Sequence, residues 1–353
     1  MLFNQLAGNL KADGACADYD HSHGGSFIAG ACVTVKQTCV LPKLCTPALA
    51  HYNSRMAVWL GSCSWKFPSW EGLVYSKAEG IDYLAEYSRR FPTVEVDQWF
   101  WSLFGPDSLG LPRSTDVESY RSSVPGDFRF TVKAPNSVTL THFYKYDKKH
   151  GGRPNPYFFS PELMRDFLAT LEPLRHQIQA VMFQFEYLNK HKMPGLHEFL
   201  ARFDDFLRAI PKGWPYAVEV RNPNYLKPPY FEFLRERGIS AVLVQGYFLP
   251  PLVESYRVAG GPEGLYSPVV MRLMGPDRKA IEEKTKKQWN TLADDRSAEL
   301  ESIAGTIEEL WRGGHEVIVN VNNHYEGSAP ISLERLAKLL GHLNVEVAPA
   351  PGT

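Results

Sequence analysis

TVEVDQWFW, residues 93–101, alternates valine with acid and then runs into three aromatics. In an extended strand successive side chains point to opposite faces, so Thr93, Glu95 and Asp97 share one side and Val94 and Val96 the other. On a half-exposed sheet the pattern is ordinary. On a strand buried on both faces, two carboxylates are costly unless they are paired or in use. The strands around this one decide between the cases.

From Met56 onward, short apolar strand patterns alternate with amphipathic helical ones, as in repeated βα units around a parallel sheet. Strands are predicted over 57–62, 93–98, 128–133, 180–185, 216–221, 240–245, 269–273 and 316–321. Between them, GLHEFLARFDDFLRAI (195–210) places Leu196, Phe199, Leu200, Phe203, Phe206, Leu207 and Ile210 on one helical stripe. Ser160 and Pro161 open a helix over 160–172. Glycines at 238, 313–314 and 341 stop helices over 228–237, 296–312 and 332–340. After the second strand only a short helix near Thr115 to Ser122 can be placed, because Gly, Pro and Ser crowd that stretch. Eight βα units in about 290 residues predict a single (β/α)8 TIM-type barrel of α/β class. The alternative, an open doubly wound sheet, lacks the Gly-x-Gly-x-x-Gly turn of dinucleotide binding after its first strand.

Composition narrows the partners. The net charge of -1 gives no global attraction for nucleic acid or an anionic membrane. No apolar run reaches the roughly 18 residues of a membrane span, and no basic region precedes an apolar start, so a cytoplasmic protein is expected. Four of the five cysteines, Cys16, Cys32, Cys39 and Cys45, precede residue 50. Their spacing matches neither a disulfide framework nor a standard zinc pattern, although Asp18, Asp20, His21 and His23 lie near Cys16. The organisation expected is a loosely structured N-terminal extension (1–55), a barrel domain (56–345) and a C-terminal tail (346–353).

Sorting each barrel strand by parity gathers a polar set on one face: Glu95 and Asp97; Arg129, Thr131 and Lys133; Gln184; Glu219 and Arg221; Arg272; Asn320 and Asn322. In a barrel these lie toward the C-terminal mouth, where active sites form. Glu95, Asp97 and Glu219 against Lys133, Arg221 and Arg272 sum to zero, so mutual pairing is expected, and a purely structural ion network is one reading. The loop THFYKYDKKHGGRPNPY (141–157) adds Lys145, Lys148, Lys149, His150 and Arg153 among aromatics, either as a lid or as a solvated loop. Trp65, Trp70, Trp99 and Trp101 follow the first two strands and either pack or stack on a ligand. His142 and His324 are the histidines placed just after strands, a weak metal signal.

The ordered motifs GSCSWKFPSWEGLVY (61–75), FPTVEVDQWFW (91–101), FRFTVKAPNSVTLTH (128–142), FQF (183–185), VEVRNPNY (218–225), VMRLMG (270–275) and VNVNNHYEGSAP (319–330) resemble the YecE-like family, also called domain of unknown function 72. The resemblance spans about residues 58–340 and implies a TIM-type barrel whose activity is unassigned. Its recurrent positions fall on Trp65, Glu95, Asp97, Lys133, His142, Gln184, Glu219, Arg221, Arg272, Asn322 and Asn323. The usual Asn reads Asp97, and the usual His-Gly reads Met274-Gly275.

These readings converge on an enzyme for a small anionic substrate, such as a sugar phosphate or carboxylated sugar. The reaction class, isomerisation, lyase chemistry or hydrolysis, stays open. Lys133, Arg221 and Arg272 would bind the anion. Glu219 or Glu95 would be the general acid or base, if burial raises its pKa. Gln184, Asn322 and Asn323 would orient hydroxyls, and Trp65 or Trp99 would cover a sugar face. Lys133 is alternatively a Schiff-base nucleophile. No cofactor or metal is predicted. Metal-assisted phosphodiester hydrolysis on nucleic acid would need Glu95, Asp97, Glu219, His142 and His324 to converge, against three competing cations. A non-catalytic barrel holding nucleic acid or a protein partner through the lid loop is the third reading. Nucleic acid is not favoured, and the sequence leaves oligomeric state open.

Overall fold

A computed structural model describes residues 57–351. The extension expected over 1–55, with its four cysteines, lies outside the described residues.

Eight parallel strands close into a barrel in sequence order, each bonded to the next and the last returning to the first. They are β1 (Val58–Cys63), β2 (Thr93–Val96), β3 (Arg129–Lys133), β4 (Ile178–Gln184), β5 (Tyr216–Glu219), β6 (Ser240–Gly246), β7 (Val269–Gly275) and β8 (Val317–Val321). Every predicted strand is present. Two end two residues early, and this bears on the site. β2 stops at Val96, so Asp97 lies beyond the strand, with helical φ and ψ, at the head of a 3-10 turn (Gln98–Phe100). β5 stops at Glu219, which puts Arg221 in the following loop.

The helices are α1 (Tyr83–Ser88), α2 (Ser114–Ser123), α3 (Pro161–Leu171), α4 (Leu196–Ala209), α5 (Pro228–Glu236), α6 (Leu252–Ala259), α7 (Arg278–Thr285), α8 (Ser297–Arg312) and α9 (Ala329–His342). On α4 the predicted stripe buries Phe199, Phe203, Phe206 and Leu207. Ser160 caps α3 as expected, its hydroxyl accepting from the Leu163 N–H at 3.2 Å. α1, α6 and α7 were not predicted and are short; α1 and α7 are each held at their start by an aspartate, Asp82 and Asp277. Gly341 does not stop the last helix, which runs through it to His342 and turns at Asn344 (φ 56°). That helix also starts early, at Ala329, because Asn323 Oδ1 accepts the Ala329 N–H at 2.9 Å.

Alternation along the strands builds two apolar layers. Val94, Val96, Phe130, Val132, Phe183, Val218, Met271, Val317 and Val319 face the helices. Ala180, Met182, Ala217, Val242, Val244, Val270 and Ile318, with Trp59 against them, fill the barrel interior. Burying each large aliphatic side chain contributes about 1.5–3 kcal/mol, so this wall is rigid enough to fix what projects from its rim. Residues 346–348, expected as tail, run beside β1: the Val58 N–H donates to Glu346 O, and the Ala348 N–H to Val58 O. No helix among the described residues is long and apolar enough to cross a membrane.

Candidate functional site

The site grows from the interior-facing residues at the C-terminal ends of the strands. β7 carries Arg272, 1% exposed, between Glu95 of β2 and Glu219 of β5, both fully buried. Its Nε donates to Glu95 Oε2 at 2.7 Å and its Nη2 to Glu95 Oε1 at 2.8 Å, a bidentate pair. Nη1 donates to Glu219 Oε2 at 2.5 Å and to Gln184 Oε1 at 3.1 Å. The remaining Nη2 hydrogen faces Cys63 Sγ at 3.9 Å. A guanidinium has five N–H donors, and all five are taken. Arg272, expected to bind substrate, is instead the keystone beneath the mouth, because it reaches two carboxylates from a strand between them.

The other two cations lie nearer the solvent. Lys133 Nζ is 3.3 Å from Glu95 Oε1 and 5.3 Å from the Phe100 ring centroid, contacts that suit an ammonium rather than a neutral nucleophile. Arg221 Nε donates to Glu219 Oε1 at 2.5 Å, with its guanidinium 4.3 Å from the centre of the Tyr247 ring. The two terminal nitrogens of Arg221 make no hydrogen bond among the described residues.

These cations reverse the effect expected of burial on the acids. Burial alone raises the Glu219 carboxyl, but Arg221, Arg272 and Lys133 outweigh it and hold the group at about 2. Glu95 is likewise raised by burial and pulled below its ordinary range by Arg272 and Lys133. Neither is an acid or base poised near neutrality, as the sequence reading required. Asp97 differs: it is half-buried, and there burial prevails over Lys133 and raises its carboxyl.

Around this centre the expected residues part company. Trp65 and Trp99 are both buried against Tyr120, edge-on and stacked respectively, each with ring centroids 5.1 Å apart. Asn323 orders the start of α9, and Asn322 accepts the His324 N–H at 3.0 Å. His142 Nδ1 is 3.0 Å from Thr141 Oγ1, which donates to Glu186 Oε1 at 3.2 Å, and Lys192 pairs with the same carboxylate. His324 faces Glu282 at 3.2 Å beside Trp289, and burial pushes its ring down to about 4. The two histidines thus belong to separate local networks. No group of three or more His, Cys, Asp or Glu placed to hold a metal occurs among the described residues.

The mouth holds further residues. Cys63 closes the network, with Sγ 3.7 Å from Glu95 Oε2 and 3.9 Å from Met274 Sδ, so the thioether that replaces the usual histidine packs on a thiol that burial keeps protonated. Asn320, fully buried beside Arg272 in register, has no partner for its amide among the described residues. Asn136 accepts from the Ser102 N–H, the Ser102 hydroxyl and the Leu103 N–H, each at 3.0 Å, tying together the loops after β2 and β3. The rim itself is aromatic. Trp101, Tyr146, Tyr187 and Phe248 are exposed on loops after four different strands, and Tyr144 stacks on Tyr146 while lying within electrostatic reach of Arg221. Of these, Asn320 was placed by strand parity and the loop aromatics had a sequence signal, whereas Cys63 and Asn136, outside the predicted strands, were not singled out, since parity says nothing about loops.

The molecule is therefore a (β/α)8 barrel with a buried ion network at its C-terminal mouth. The family model described as "Protein of unknown function DUF72" matches residues 59–353, and the chain belongs to that family. Among solved structures it is similar to a DUF72 family protein from Enterococcus faecalis V583, at 21% identity over 84% of this chain and 98% of that one (TM-score 0.58). A DUF72 family protein from Thermotoga maritima MSB8 matches at 23% identity over 81% and 99% of the two chains (TM-score 0.55). At such identities the likeness concerns the fold alone. No curated protein matches this chain.

Proposed function

We propose that the mouth binds a small polar anion, a sugar phosphate or carboxylated sugar, and that the protein is an enzyme acting on it by acid–base chemistry. The observation that supports this reading is the division of labour among the three cations. Arg272 has every donor engaged below. Lys133 and Arg221 each spend one contact on a buried carboxylate and keep donors to spare. Glu95 and Glu219 then act as a fixed electrostatic frame. They hold two cations in place before any ligand arrives, so little reorganisation opposes binding. Gln184, half-buried with its carbonyl on Arg272, has its amide nitrogen available for a ligand hydroxyl. The exposed aromatics of the rim offer flat apolar faces to the rest of a sugar.

Calorimetric titration with inorganic sulfate and with a panel of sugar phosphates tests the reading. Arg221→Ala and Lys133→Ala are each expected to weaken binding by about ten-fold or more, the worth of a charge-assisted hydrogen bond. Unchanged affinity in both variants overturns the anion site.

A further inference from the structure

We infer that Asp97 is the carboxyl that exchanges a proton with the anion held at the mouth, an inference that rests on the anion-site reading above. Of the three acids gathered there, Glu95 and Glu219 are fully buried, and each is covered by Arg272 and a second cation. Asp97 stands one step further out, just beyond the end of β2, and retains exposed surface. Its carboxyl makes no ion pair and no hydrogen bond to another residue among the described residues. It is therefore the acid of the mouth with both access and uncommitted oxygens.

Its surroundings fit the role. Lys133, Glu95 and Arg272 act on it from three strands, Cys63 lies within reach on a fourth, and Tyr120 of α2 approaches from outside. Tyr120 is the ring stacked on Trp99 and met edge-on by Trp65, so the residue two positions after Asp97 is held in an aromatic cluster within electrostatic reach of it. Burial disfavours its charge, and Lys133 tempers that effect. In the step itself Asp97, protonated as the anion's charge arrives beside it, gives that proton up: its O–H bond breaks and a new O–H bond forms on a basic oxygen of the bound substrate. The carboxylate left behind is stabilised by Lys133. The reverse transfer restores the acid, so one residue can serve as donor and acceptor.

The test uses inorganic sulfate, which stays a dianion from mildly acidic to neutral pH, so any proton taken up on binding goes to the protein. Calorimetry in buffers of different ionisation enthalpy reads that uptake. The wild-type chain is expected to bind sulfate with net proton uptake. Asp97→Asn, nearly isosteric, is expected to bind at least as tightly with none. Uptake that persists unchanged in Asp97→Asn, or is missing from the wild type while sulfate binds, overturns the assignment but leaves the anion site standing. Sulfate that binds neither protein overturns the anion site and this inference with it. A carboxyl carbon NMR titration supplies an independent readout: an Asp97 resonance, assigned by its loss in Asp97→Asn, that titrates at the ordinary aspartate value also overturns the assignment.

Discussion

At the N-terminal end of the barrel, Trp59 lies against the interior core with its indole nitrogen 2.6 Å from Glu316 Oε1, and the Arg129 guanidinium sits 5.7 Å from the centre of its ring. At the C-terminal end the interior-facing positions of β2, β3 and β7 present Glu95, Lys133 and Arg272. Both ends thus bury charge, with different economy. The lower end closes on one tryptophan and one carboxylate, and solvent reaches part of each. The upper end stacks three cations and three acids, far more than closure requires, and leaves donors of Arg221 and Lys133 turned away from their partners. Desolvating charge is unfavourable unless it is matched. A fully matched lower layer beneath a partly matched upper one is the arrangement expected where an external charge completes the set.

Four substitutions probe the contrast. Arg272→Met should have the largest effect: with its five donors gone, only Lys133 and Arg221 are left to offset Glu95 and Glu219 in a dry interior, and urea denaturation should show a loss of about 3–5 kcal/mol. A near-neutral result would mean that the upper network does not hold the barrel. Glu219→Gln should show itself in acid. Because the folded-state carboxyl titrates at about 2 and the ordinary value is 4.5, its stabilisation is present above about 4.5 and is lost as pH falls through about 2. Thermal melts across that window should slope less steeply in the variant than in the parent. Arg221→Ala should cost little stability, since its side chain is at the surface of the network, yet weaken sulfate binding about ten-fold or more. A variant that unfolds readily but binds normally would reverse the assignment of upper and lower layers. Trp59→Phe should be mildest, about 1 kcal/mol for one hydrogen bond that water can partly replace, with no change in sulfate affinity.

How far the site was legible follows the same division. Glu95, Lys133, Gln184, Glu219 and Arg272 were found by parity because they lie on or at the ends of strands, where a period of two dictates the face. Asp97 and Arg221 were found by the same count although both strands stop before them. For the tryptophans the sequence left packing and ligand stacking open, and for the histidines only a weak metal signal, because loop residues obey no period. Trp65 and Trp99 turn onto Tyr120, a residue of α2 more than fifty positions from Trp65. Asn323 caps a helix whose start the pattern placed three residues late.

The protein's own sequence determined the barrel. Eight alternating apolar strands separated by amphipathic helices admit few other ways to bury both strand faces, and the glycine and proline punctuation marks most of their ends. It also determined that acids and bases would share the mouth. Only the tertiary structure decided which cation meets which acid, and hence that Glu95 and Glu219 are pinned as carboxylates while Asp97 is not. The direction of a buried group's titration depends on a balance between desolvation and neighbours brought from strands as far apart as residues 95 and 272. Desolvation can be guessed from an apolar run, but the position of a guanidinium at 2.7 Å cannot.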